Sequence, residues 1–140
     1  MQQLTHINHQ FVEFIPEKLD PGVLYISKRF STASHLCCCG CGLEVVTPLK
    51  PSKWQLIDRN GTVSLTPSIG NWGFPCQSHY WIRSGHIVWA KQMSRRQIEQ
   101  VQSLDLADAK KVSDLKPTFK QNARNLLSEA FVLLKSLLRI

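Results

Sequence analysis

Cysteine spacing is the strongest constraint on what this chain can fold into. Cys37, Cys38, Cys39 and Cys41 fall within five consecutive positions, in His35-Leu36-Cys37-Cys38-Cys39-Gly40-Cys41-Gly42. The fifth cysteine, Cys76, lies well downstream, in Pro75-Cys76-Gln77-Ser78-His79. Cys-x-Cys spacing brings two thiolates to one side of an extended or tightly turned segment, and Cys-x-x-His spacing suits a knuckle-like turn. Two such knots call for a fold that brings two loops together around one metal, most simply zinc. Disulfides fit less well, because the cysteine count is odd and adjacent thiols in a reducing compartment favour metal.

The knots supply more donors than a zinc ion uses. The expected ligands are three or four of Cys37, Cys39, Cys41, Cys76 and His79, with His35 in reserve. Cys38 points away from its odd-numbered neighbours if the segment is extended. A structural site is closed by four protein ligands, whereas a catalytic one keeps three and leaves a position for water. The second case needs a general base. Glu44 is the carboxylate next to the first knot, between the apolar residues Leu43 and Val45-Val46. Ser78 could donate to an oxyanion, and Asn71 and Trp72 could form a substrate wall. Each has a plainer alternative: Glu44 facing solvent, Ser78 capping a turn, Trp72 packing in the core. Cys76 with His79 or His35 could also form a nucleophilic pair, in competition with metal for the same side chains.

The chain has 140 residues, 43% of them hydrophobic, which suits one domain with a real core. A chain of this length does not need a metal to fold, as those below roughly 80 residues often do. The net charge of +7 is spread over the chain. Its densest groups are the pairs Lys28-Arg29, Arg95-Arg96 and Lys110-Lys111, which read as surface and not as a nucleic-acid interface. No segment is apolar and long enough to span a bilayer, and the first residues lack the order of a signal peptide, so a cytoplasmic protein is expected.

The fold class expected is α+β, a small, mainly antiparallel sheet followed by C-terminal helices. Residues 9–15, 23–27 and 43–47 read as strands. Residues 54–58 and 62–66 form a hairpin around Asn60-Gly61, and 79–83 and 86–90 a second one around Ser84-Gly85. Ser31 to Ser34 reads as a polar lead-in to the cysteines, and 67–75, with two prolines and two glycines, as a loop. A β-rich zinc-binding core would thus cover about 9–90 of a single 1–140 domain, with helices from 94 onward. A capping-box pattern at Ser94 starts a short helix, Asp105 to Val112 a second, and Pro117 a final amphipathic one.

His-Leu-Cys-x-Cys-Gly-Cys-Gly at 35–42, Val-Val-Thr-Pro-Leu at 45–49 and Ser-Ile-Gly-Asn-Trp-x-x-Pro-Cys-x-Ser-His-Tyr-Trp-Ile at 68–82 resemble a small bacterial domain family from ubiquitination-like operons. The resemblance covers about residues 20–90, and Cys38 stands where that family would have proline. It implies a zinc-dependent peptidase that processes or deconjugates a ubiquitin-like protein. Zinc-activated water would attack, with Glu44 as proton shuttle, and the 68–75 loop would bind an extended tail. The partner would be the ubiquitin-like protein or its conjugates, with no membrane involved. Two other readings remain open on the residues alone: a non-catalytic zinc module for protein or nucleic-acid interaction, and a thiol redox or metal sensor.

Overall fold

The computed structural model describes residues 2–114. The chain divides into two compact units, Met1–Ile98 and Glu99–Ile140. The first holds eight strands in two four-stranded sheets, ordered β1-β2-β3-β4 and β5-β6-β7-β8. These are β1 (Asn8–Phe11), β2 (Val23–Ser27), β3 (Thr32–Leu36), β4 (Glu44–Pro48), β5 (Gln55–Arg59), β6 (Thr62–Gly70), β7 (His79–Arg83) and β8 (His86–Trp89). Among the described residues one helix, α1 (Arg95–Asp114), follows. The protein is α+β, with its strands in two sheets instead of one.

Alternation along the strands builds a sandwich. Val63, Leu65 and Ile69 of β6 and Tyr80 and Ile82 of β7 point inward, and meet Leu24, Ile26, Ala33 and Val45 of the other sheet in one apolar cluster. The chain before β1 ties the layers together. Ile7 N–H donates to Gly85 O and Ile87 N–H to Thr5 O, each at 2.8 Å, after which β1 joins the first sheet. There β1 runs parallel to β2, the one departure from antiparallel pairing.

Three expectations about the strands need correction. Residues 31–34 are not a lead-in: Thr32–Leu36 is a strand between β2 and β4, and its small residues Ala33 and Ser34 are buried. The first strand stops at Phe11 instead of Ile15, because Asn8–Phe11 pair with Val23–Ile26 and residues beyond Val12 leave the ladder. Strand β6 passes through Pro67 to Gly70, where a loop was expected. A register shift between Leu65 and Ile69 makes room: Leu65 opposes Ile82 and Ile69 opposes Tyr80, so β6 carries extra residues in a bulge. Proline is tolerated in a strand at such a point.

The hairpin turns are as expected. Asn60 (φ 51°) and Gly61 (φ 75°) both take positive φ, which a type I′ turn demands. The two short helices expected between 94 and 112 are one helix. Its start is a reciprocal capping box, with Ser94 N–H donating to Gln97 Oε1 at 2.8 Å and Gln97 N–H to Ser94 Oγ at 3.4 Å. Ala107, Ala109, Lys110 and Lys111 are good helix formers, and neither glycine nor proline interrupts the stretch, so nothing stops the helix at Leu104. The helix expected after Pro117 lies outside the described residues. Among the described residues no helix is long and apolar enough to cross a membrane.

Candidate active site

The turn between β3 and β4 carries Cys37 to Cys41, and the turn between β6 and β7 carries Cys76. The sandwich brings these turns together. The ligand sulfurs of Cys37, Cys39, Cys41 and Cys76 all lie within 4.8 Å of one another. Cys37 Sγ is 3.4 Å from Cys39 Sγ and 3.9 Å from Cys76 Sγ, and Cys41 Sγ is 3.9 Å from Cys76 Sγ. Sulfurs around a tetrahedral zinc, each about 2.3 Å from the ion, stand about 3.8 Å apart. The donor set therefore fits one zinc-sized ion, and four thiolates would close its coordination. Cys38 faces the apolar core, fully buried, and burial pushes its thiol up to about 12.

A polar network backs this set. Asn71 Nδ2 donates to Ser78 Oγ at 2.8 Å, and Ser78 Oγ lies 3.1 Å from Cys37 Sγ. Since Ser78 accepts from Asn71, its own proton is free for the Cys37 sulfur. Asn71 Nδ2 is also 3.4 Å from Tyr80 Oη, which sits 2.9 Å from His35 Nε2. Both Tyr80 and His35 are fully buried. Burial lowers His35 to about 4, so it is neutral at pH 7 and shares one hydrogen bond with the tyrosine hydroxyl through Nε2. Burial likewise pushes the Cys37 thiol up, with the Ser78 hydrogen bond working against it. For Cys76 burial raises the thiol too, but hydrogen bonds to Ser78, Cys39 and Cys41 prevail and bring it to about 7.

The opposite face of β7 is different. His79 and Trp81 alternate with the buried Tyr80 and Ile82, so they lie on the side away from the core. His79 is opposite Gly70 in register, and the β6 bulge turns Ser68 towards it. His79 Nε2 and Ser68 Oγ are 2.9 Å apart. Two indoles flank the imidazole, Trp72 with ring centroids 4.9 Å apart and Trp81 at 5.3 Å. Trp72 lies flat on the backbone of Gly70, where a Cβ would come within 2.4 Å of its ring. Burial lowers the pKa of His79 below the ordinary histidine value. Its Nδ1 is buried without a hydrogen-bond partner among the described residues. A hydroxyl donating to a neutral imidazole is the arrangement by which a serine becomes a nucleophile.

The expected site residues thus separate. Four of the five primary ligand candidates converge, while His79 and His35 turn to Ser68 and Tyr80. Ser78 and Asn71 are buried behind Cys37. Trp72 sits against His79. Glu44 is exposed at the start of β4, opposite Leu36. Ser68 received no role from the sequence. Its signal was its place before Gly70 in a loop-like stretch, but pairing it with His79 requires the bulge and the register of β6 and β7.

A sandwich carrying a four-cysteine cluster and a serine–histidine pair suggests a hydrolase built on a metal-tied scaffold. The chain belongs to the BubE family, described as a bacterial ubiquitination-like system serine protease, whose model matches residues 11–90. No curated protein and no solved structure matches the chain. The family description overturns the zinc-activated water mechanism, and with it the zinc metallopeptidase type and the part of Glu44 as shuttle for a metal-bound water. A peptidase of a ubiquitination-like system is supported, and the family is described as a serine protease.

Proposed function

We propose that the protein is a serine protease in which Ser68 is the nucleophile and His79 the general base, acting on a ubiquitin-like protein or its conjugates. The observation that carries this reading is the 2.9 Å contact between Ser68 Oγ and His79 Nε2 on the outward face of β7. Ser68 Oγ attacks the scissile carbonyl while its proton passes to His79 Nε2. The imidazolium then protonates the departing amine, leaving an acyl-serine. A water molecule, deprotonated by the same nitrogen, attacks the ester, and the serine recovers its proton. Trp72 and Trp81 exclude water from the imidazole and hold its plane.

The cysteine cluster has a separate part in this reading. Cys37, Cys39, Cys41 and Cys76 would hold one zinc ion, joining the two turns. When bound, the ion supplies a structural tie and stabilises the thiolate forms. Of the two serines in the region, Ser78 is buried and hydrogen-bonded to Asn71 and Cys37, which favours Ser68 as the reacting group. The test is cleavage of a ubiquitin-like protein bearing a C-terminal extension. Ser68→Ala and His79→Ala should each abolish it with zinc content unchanged. Full cleavage by folded Ser68→Ala would sink the proposal.

A further inference from the structure

We propose that Asn71 is a positioning residue that, through Ser78, makes the reactivity of Ser68 depend on the metal held by the four cysteines. This rests on the Ser68–His79 reading above. The turn between β6 and β7 is anchored at both ends by one residue pair: Asn71 N–H donates to Ser78 O at 2.9 Å, and Asn71 Nδ2 to Ser78 Oγ at 2.8 Å. Inside that closed turn sits Cys76, one of the four cysteines whose sulfurs converge. Just outside it sit the reactive groups, with His79 following Ser78 and Gly70, opposite His79, preceding Asn71. Ser78 Oγ at 3.1 Å and Asn71 Nδ2 at 3.7 Å both approach the sulfur of Cys37, on the other turn.

Donors to a ligating sulfur orient the ligand and strengthen metal binding. Here the same donors fix the strand that carries the base. Ser78, just before β7, lies on the buried side against Cys37, while His79, the first residue of β7, faces outward, so a rotation that lets Ser78 leave Cys37 turns His79 from Ser68. Asn71 also supports Trp72, its neighbour in the chain, which packs on His79. The cluster and the reactive pair are thus opposite sides of one strand end, and the asparagine amide joins them.

The test uses the full chain and a fluorophosphonate probe, whose rate of reaction reports the nucleophile without a protein substrate. Zinc affinity is measured in parallel by chelator competition. Asn71→Ala and Ser78→Ala should each weaken zinc binding about 10–100-fold. With zinc in excess and the site filled, both should still label Ser68 at least about tenfold more slowly, a displacement of under 1 Å being sufficient. The acidic midpoint of the labelling profile should move up towards the ordinary histidine value in Asn71→Ala, as water reaches His79. Ser78→Thr, which keeps the hydroxyl, should restore both rate and affinity. Chelation of zinc from the wild-type chain should slow labelling, and readdition should restore it. Should Asn71→Ala not fold by circular dichroism, Asn71→Asp keeps the shape and removes the amide donor, with the same losses expected. Wild-type labelling rates in the filled, folded variants, or in the folded metal-free protein, would overturn the proposal. A folded Ser68→Ala that still reacts would instead overturn the nucleophile assignment.

Discussion

Gly70→Ala tests whether Trp72 holds the reactive imidazole. Gly70 does not occupy the left-handed region, so its backbone accepts alanine. The space does not: the added Cβ would lie 2.4, 2.5 and 2.6 Å from three atoms of the indole. Carbon atoms in contact stand about 3.5–4.0 Å apart, so the ring must retreat by about 1 Å or swing away. It would then leave His79, whose ring centroid it approaches to 4.9 Å. Misplacement of this size near a reacting group can cost about 100-fold in rate, and loss of an aromatic pair about 0.5–1.5 kcal/mol of stability. The expected result is a kcat/KM for the extended ubiquitin-like substrate lowered about 10–100-fold, with the urea unfolding free energy lowered by no more than about 1.5 kcal/mol. Trp72→Phe, too small to clash, should recover most of the rate in the double variant. A Gly70→Ala enzyme of wild-type kcat/KM would refute the role of the indole.

Other consequences are open to direct measurement. Because burial disfavours the His79 imidazolium, the base stays neutral to lower pH; kcat/KM should rise with pH through a midpoint below 6.5, and a midpoint above that value would contradict the assignment. Mass spectrometry under native conditions should find one zinc per chain, lost in Cys76→Ser and kept in Cys38→Ala, since the Cys38 side chain belongs to the core. Leu65→Ala removes a side chain 1% exposed between the sheets and should cost about 2–5 kcal/mol in urea unfolding.

Much of the scaffold was legible in the sequence because its signals are local. Asn60-Gly61 fixed a hairpin through the φ values that its turn needs, and Ser94 with Gln97 marked the start of α1. The sulfur set was legible as well, since Cys-x-Cys spacing requires a shared side and Cys38 falls on the other. What escaped depends on contacts between distant strands. Thr32–Leu36 carries small and polar residues that have no strand pattern of their own, and β2 and β4 make it one by pairing on both sides. Pro67 reads as a strand breaker, yet the bulge opposite Tyr80 and Ile82 absorbs it. The same bulge aims Ser68 at His79, so the reactive pair was hidden for the reason that the strand was. His79 then reads as a metal ligand by its spacing from Cys76, although alternation along β7 sends it to the other face.

The central claim is that Ser68, with His79, is the reacting group. Its most direct test is to label the zinc-loaded protein with a fluorophosphonate and map the modified residue by tandem mass spectrometry. The account predicts a single adduct on Ser68 that disappears in His79→Ala. An adduct on Ser78, or labelling of Ser68 at an undiminished rate without His79, would contradict it.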